Sequence, residues 1–171
     1  MEIRQISEIT LEQKAQLSQI LVDAVSGGAS VGFMLPFSVK DSENYWSMID
    51  SKLGNHHLLW IAIENNSIIA TVQLILAQSL NGQHRAEVVK LLVSPHFRGQ
   101  KTATKLMNAL ETEAHKLGIA LLLLDTQTGS TAETVYQHLG WQKIGEIPNY
   151  AKNPNGVLCS TSYFYKLISS Q

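Results

Sequence analysis

Residues 2–6 alternate polar and apolar positions, the two-residue period of a half-buried strand. From Leu11 to Val25 the period lengthens. Leu17, Ile20, Leu21 and Ala24 fall on one side of a helix, which Gly27-Gly28 ends. A loop carrying Phe33, Met34, Leu35, Pro36 and Phe37 is expected over 29–40, then a second helix from about Ser42 to Leu53. The next apolar runs are short. Leu58–Glu64 and Ile68–Ala77 flank Asn65-Asn66-Ser67, a hairpin-type turn, and Asn81-Gly82 marks another turn before a strand over Arg85–Val93. Helical spacing returns over Gly99–Lys116, with Leu106, Leu110 and Ala114 inward and Gly118 at the C-terminal cap. Ile119–Asp125 opens on a continuous apolar run, as a strand covered on both faces requires. A short helix over Ser130–Leu139, stopped by Gly140, precedes closing strands over Trp141–Ile147 and Thr161–Ile168.

The resulting order is β-α-α-β-β-β-α-β-α-β-β. Antiparallel hairpins come first. The strand–helix–strand unit over 85–125 calls for a parallel pair with a right-handed crossover. The expected fold is α/β of the α+β kind: a mostly antiparallel mixed central sheet with helices on both faces. One domain, 1–171, suits the length, and no linker or repeat divides it. Trp46, Phe33 and Phe37 read as packing between the early helices and the sheet.

Composition narrows the picture. The chain is 44% hydrophobic and only 16% charged, the balance of a folded domain. Its net charge of -1 shows no basic excess for nucleic acid. Cys159 is alone, so no intramolecular disulfide forms, and a reducing compartment fits. The polar start at Met1-Glu2-Ile3-Arg4-Gln5 does not read as a signal peptide, and Ile119–Leu124 is too short to span a bilayer. The expectation is a cytoplasmic protein with no membrane partner, monomeric or homodimeric. His56 and His57 would point to opposite sides of a strand and read as surface histidines, so no metal is expected.

The most informative stretch runs from Leu91 to Ala103. A strand ends at Val93, Pro95 opens a turn, and Gly99, Thr102 and Ala103 bring little bulk to the start of a helix. Bare amides and a partial positive charge at such a helix start make a cradle for phosphate. A lone Gly99 does not make a dinucleotide fingerprint, and the Walker pattern is absent. The segment resembles the pyrophosphate motif of the GNAT superfamily of acetyltransferases, Arg/Gln-x-x-Gly-x-Gly/Ala after an apolar strand ending in Val-x-Pro. Arg98 and Ala103 match its ends, while Lys101 stands where the family usually has glycine.

A second segment, Gly129–Trp141, resembles the family's Asn-x-x-Ala-x-x-x-Tyr-x-x-x-Gly-Phe. Ala132, Tyr136, Gly140 and Trp141 match, and Gly129, followed by Ser130, replaces the asparagine. The resemblance implies acetyl-CoA as cosubstrate, without metal. It is held by Leu92, Val93, Arg98, Gly99, Gln100, Lys101, Thr102, Ala103, Ser130 and Ala132. It also places Tyr136 near the thioester sulfur, where a phenol protonates the departing thiolate. Arg85–Leu91, Leu124-Asp125-Thr126, Gly129-Ser130 and Glu146–Tyr150 further resemble the tabtoxin-resistance acetyltransferases, which implies a β-lactam amino acid or a similar small amine as acceptor.

Acetylating an amine requires removing a proton from a group whose pKa lies near 10. Glu87, before the phosphate turn, resembles the glutamate that several family members use as base. Asp125 ends the adjacent parallel strand and would orient the amine or share that role. Backbone amides near Leu92 or Val93 would stabilise the oxyanion. Tyr150 follows Pro148 in an apparent loop and is expected to touch substrate; Cys159 is a packing residue, not a nucleophile. The expected activity is N-acetylation of a small primary amine by direct transfer. Acetylation of a peptide or protein amine, and an acetyl-CoA-binding module without turnover, are the alternatives.

Overall fold

A computed structural model describes residues 1–168. The strands are β1 (Glu2–Ile6), β2 (His57–Glu64), β3 (Ser67–Leu76), β4 (Arg85–Val93), β5 (Leu121–Gln127), β6 (Gln142–Lys152) and β7 (Leu158–Leu167). The helices are α1 (Leu11–Ser26), α2 (Val39–Asp50), α3 (Thr102–Lys116) and α4 (Thr131–His138). The expected element order holds. A seven-stranded sheet runs β1-β2-β3-β4-β5-β7-β6, antiparallel except for the parallel β4–β5 pair.

Strand alternation splits the core in two. Val72, Leu74, Ala86, Val88, Leu122, Leu124 and Phe164 meet Leu106, Met107 and Leu110 of α3 and Tyr136 of α4. On the other face Leu59, Ile61 and Leu92 meet Leu17 and Leu21 of α1 and Trp46 of α2. Trp46 is fully buried, as its packing role requires. Helices therefore cover both faces. Thr10 and Ser38 close reciprocal capping boxes with Gln13 and Asp41, so the first turns of α1 and α2 are satisfied internally.

Several boundaries differ from expectation. The second helix starts at Val39, because Ser38 caps it. The Asn81-Gly82 turn is a 3-10 turn over Leu80–Gly82. α3 begins at Thr102, since Gly99 and Lys101 both adopt left-handed backbone, with φ of 75 and 61. β6 extends to Lys152, so Tyr150 lies in a strand and not in a loop. His57 is buried: its Nε2 donates to Gln73 Oε1 at 2.8 Å, which corrects its reading as a surface residue. No helix among the described residues is long and apolar enough to cross a membrane.

Candidate active site

The site starts from a parting of strands. β4 and β5 pair only through Arg85–Leu121, Ala86–Leu122 and Glu87–Leu123, although β4 continues to Val93 and β5 to Gln127. Beyond Glu87 the edge of β4 that faces β5 has no strand partner. Alternate amides there, in the stretch ending at Leu92 and Val93, are open to a ligand.

At this point β4 also changes parity. Its register against β3 slips between Thr71–Leu92 and Gln73–Val89. Ala86 and Val88 lie in the core beneath α3, but past the slip Leu91 and Val93 pack there and Leu92 joins the opposite core. The extra residue is accommodated by Lys90, whose φ is 53. Lys90 consequently shares the α1–α2 face with Glu87. Leu122 and Leu124 point into the α3 core, which turns Asp125 to that same face.

The electrostatics agree with this placement. Burial raises the Glu87 carboxyl above the usual carboxylate range, Asp125 raises it further, and Lys90 opposes both. Burial lowers the Lys90 ammonium, against the pull of Asp125 and Glu87. Thr161 Oγ1 lies 2.8 Å from Asp125 Oδ2 and 2.9 Å from the Thr126 carbonyl, which fixes the carboxylate at the strand end. Tyr163, the cross-strand partner of Asp125, donates to the Tyr150 hydroxyl at 2.7 Å, and that bond helps push its own phenol to about 12. Tyr150 is half-exposed on the edge strand β6, beside the expected acceptor side.

The segment between α1 and α2 roofs this face. Phe33 packs on Phe37 and Tyr45, and Lys90 Nζ lies 5.8 Å and 5.9 Å from the Phe33 and Tyr45 ring centroids. The Leu35 amide donates to the Pro154 carbonyl at 2.9 Å, so the segment bridges from β4 to the β6–β7 turn. Tyr136 approaches from α4, packed on Trp141 and Phe164. Burial, then the charge of Asp125, drives its phenol well above the ordinary value. The residue is buried, and its hydroxyl has no hydrogen-bond partner among the described residues.

The turn before α3 is built to expose amides. Lys101 occupies the N-cap position in left-handed backbone, and no side chain caps the helix. Arg98 Nε lies 3.4 Å from the Val93 carbonyl, Gln100 Nε2 donates to the His96 carbonyl at 3.2 Å, and Thr102 Oγ1 lies 3.4 Å from the Phe97 carbonyl. Thr102 is buried, and Ala103 adds only a methyl at the start of the helix. Across the gap, Ser130 precedes α4 without capping it, its Oγ 3.3 Å from Thr126 Oγ1, while Ala132 packs inward. These features fit a diphosphate-bearing thioester: uncapped amides at one end, an unpaired strand edge in the middle, and Tyr136 at the other end.

Asp125 lies within electrostatic reach of both Glu87 on its own face and Tyr136 on the other, and Tyr150 is hydrogen-bonded to Tyr163 across the strand from Asp125. Lys90, Tyr163, Thr161 and the Phe33–Tyr45 pair were not anticipated. Strand alternation assigns Lys90 to the wrong face, and nothing in the sequence marks the slip. Among the described residues no group of three or more His, Cys, Asp and Glu is placed to hold a metal ion.

Comparison with known proteins gives the same frame. An N-acetyltransferase from Staphylococcus aureus Mu50 superposes with a TM-score of 0.80 at 15% identity, covering 99% of this chain and 100% of that one. A ribosomal-protein-alanine N-acetyltransferase from Brucella melitensis gives 0.78 at 15%, covering 98% and 99%. A putative acetyltransferase from Salmonella typhimurium, solved with its cofactor acetyl-CoA, gives 0.77 at 14%, covering 100% and 96%. At these identities the likeness shows the fold. Family membership comes from the sequence: the profile described as "Acetyltransferase (GNAT) family" matches residues 17–141, taking in both the parted strands and the bare helix start, and the chain belongs to that family.

Proposed function

We propose that this acetyltransferase transfers the acetyl group of acetyl-CoA to the primary amine of a small molecule, directly and without a covalent enzyme intermediate. The supporting observation is the gap where β4 and β5 separate, with Glu87 and Asp125 beside it, Tyr136 within electrostatic reach of Asp125, and the start of α3 uncapped. Acetyl-CoA supplies an activated acyl group. Its diphosphate would lie on the amides following Arg98, Gly99, Gln100 and Lys101, extending to Thr102 and Ala103. Ser130 and Ala132 flank the other wall, and of the consecutive Leu92 and Val93 amides one faces the open strand edge.

Glu87 is the base. Its carboxyl is raised by partial desolvation and by Asp125, which makes it a better proton acceptor than an ordinary carboxylate. Asp125, held by Thr161, orients the ammonium before it loses its proton. The open amides near Leu92 and Val93 meet the negative charge that develops on oxygen. Tyr136 keeps its proton at neutral pH and serves the leaving sulfur as hydrogen-bond donor and proton source. The roof tied to the β6–β7 turn narrows access, which favours a small acceptor over a peptide.

The test is release of free thiol from acetyl-CoA with a panel of small amines and peptides. Small amines are expected to stimulate release. Stimulation by peptides alone would overturn the substrate class, and acetyl-CoA binding without release would overturn catalysis. Tyr136→Phe is expected to lower kcat by roughly ten- to a thousandfold with acetyl-CoA affinity unchanged. An unaltered kcat would remove Tyr136 from the mechanism.

A further inference from the structure

Lys90 is a residue of the site that the transfer chemistry leaves unused, and several features fix where it sits. Its backbone is left-handed, with φ of 53, a conformation that residues bearing a Cβ adopt only against strain. That strain turns a cation out of the α3 core and onto the face of Glu87. There the ammonium lies over the Phe33 and Tyr45 rings, at 5.8 Å and 5.9 Å from their centroids. Tyr45 is itself held: Gln73 Nε2 donates to its hydroxyl at 3.0 Å, and His57 holds Gln73 from the far side at 2.8 Å. Gly32 brings backbone close to the ammonium, since a Cβ there would stand 3.9 Å from Nζ.

Among the described residues no carboxylate makes a salt bridge with Lys90, and no acceptor takes any of its three N–H donors. A lysine whose task was to neutralise Glu87 and Asp125 has a stem flexible enough to close a contact pair with one of them. Here the aromatic seat keeps the ammonium apart from both. The face therefore presents two exposed anionic groups and, set off from them, one partly covered cation with free donors. That is the complement of a molecule carrying an amine and an anion a few atoms apart. One ammonium matches the single charge of a carboxylate.

We propose that Lys90 determines acceptor specificity by binding a carboxylate of the acceptor, so that the acetylated amine faces Glu87 and Asp125 while the acid group lies on the caged ammonium. This rests on the acetyltransfer reading above and adds the substrate class: amino acids and related amino carboxylates.

The experiment compares transfer to standard L-amino acids with transfer to their α-carboxamides and decarboxylated amines, using the wild type, Lys90→Met and Lys90→Arg. The wild type is expected to prefer acids over amides by roughly ten- to a hundredfold in kcat/KM. Lys90→Met should lose that preference through KM for the acids alone, and Lys90→Arg should retain part of it. Equal use of acids and amides by the wild type would overturn the proposal, and this arm stands even if Lys90→Met fails to fold. An equal loss on both series in a folded Lys90→Met would also overturn it, showing a counter-ion or packing role. Acetyl-CoA binding with no amine turned over by the wild type would instead overturn the acetyltransfer reading, and this proposal with it.

Discussion

Burial and the nearby Asp125 raise the Glu87 carboxyl above its ordinary range, with Lys90 pulling the other way. The folded chain then binds this proton more tightly than the unfolded chain does. Stability contributed by the group is complete below the unfolded pKa and is lost as pH rises through the raised folded value. Glu87 is exposed to solvent, so that contribution is small. Glu87→Gln is therefore expected to leave Tm at pH 7 nearly unchanged while lowering kcat/KM by about 10²- to 10⁴-fold. The ascending limb of the wild-type pH–rate profile should lie above the usual carboxylate range and vanish in the variant. Calorimetry and initial rates check both; an unchanged kcat/KM would remove Glu87 as the base. The strand positions of Glu87 and Asp125 were legible in the sequence, one before the phosphate turn and one near a strand end. Lys90 was not legible. Two-residue alternation places it with Ala86 and Val88, and only the register slip against β3 moves it across the sheet.

At the scale of elements, α3 is bare at its start and anchored at its exposed flank. Its bareness comes from Lys101, a non-glycine residue in left-handed backbone at the cap position. Glycine at this motif position would relieve a strain of about 1–2 kcal/mol, which accounts for the glycine usual there in the family. The anchor is Lys166 on β7, whose Nζ lies 2.7 Å from Glu111 Oε2 and 2.8 Å from the Leu139 carbonyl, joining α3, β7 and the end of α4. Both side chains are mostly covered, at 24% and 15% exposure, and Glu111 Oε1 is already a buried atom without a partner. Lys166→Met alone is expected to cost about 1–3 kcal/mol in chemical denaturation by leaving that carboxylate uncompensated. The double change Glu111→Leu with Lys166→Leu should recover most of the loss. Element existence was readable throughout from spacing, caps and glycines. The errors fell where backbone irregularity decides. Left-handed residues at Gly99 and Lys101 delay α3, and a bulge between Ile147 and Ala151 lets an edge strand absorb Pro148 and carry Tyr150.

For the whole molecule, two packed halves share one sheet that opens between β4 and β5. A ligand seated there contacts both halves. Acetyl-CoA at a hundredfold over its Kd should stabilise the fold by about 2.7 kcal/mol, a rise in Tm of about 5–10 °C for a chain of this size. A thermal scan with acetyl-CoA against buffer checks it, and an unmoved midpoint would remove the cleft as its seat. The early hairpins and the parallel β4–β5 pair were derivable from element order; the place of β7 between β5 and β6 and the depth of the opening were not, because strand pairing is a property of partners far apart in the chain. The parity change in β4 has one further consequence. Its residues can be exchanged one for another at graded cost, but the slip itself sets which face every later side chain takes: at full length and with regular alternation, the ammonium would lie beneath α3 and Leu91 and Val93 would leave their core. Evolution along this strand is thus free in spelling and bound by its punctuation.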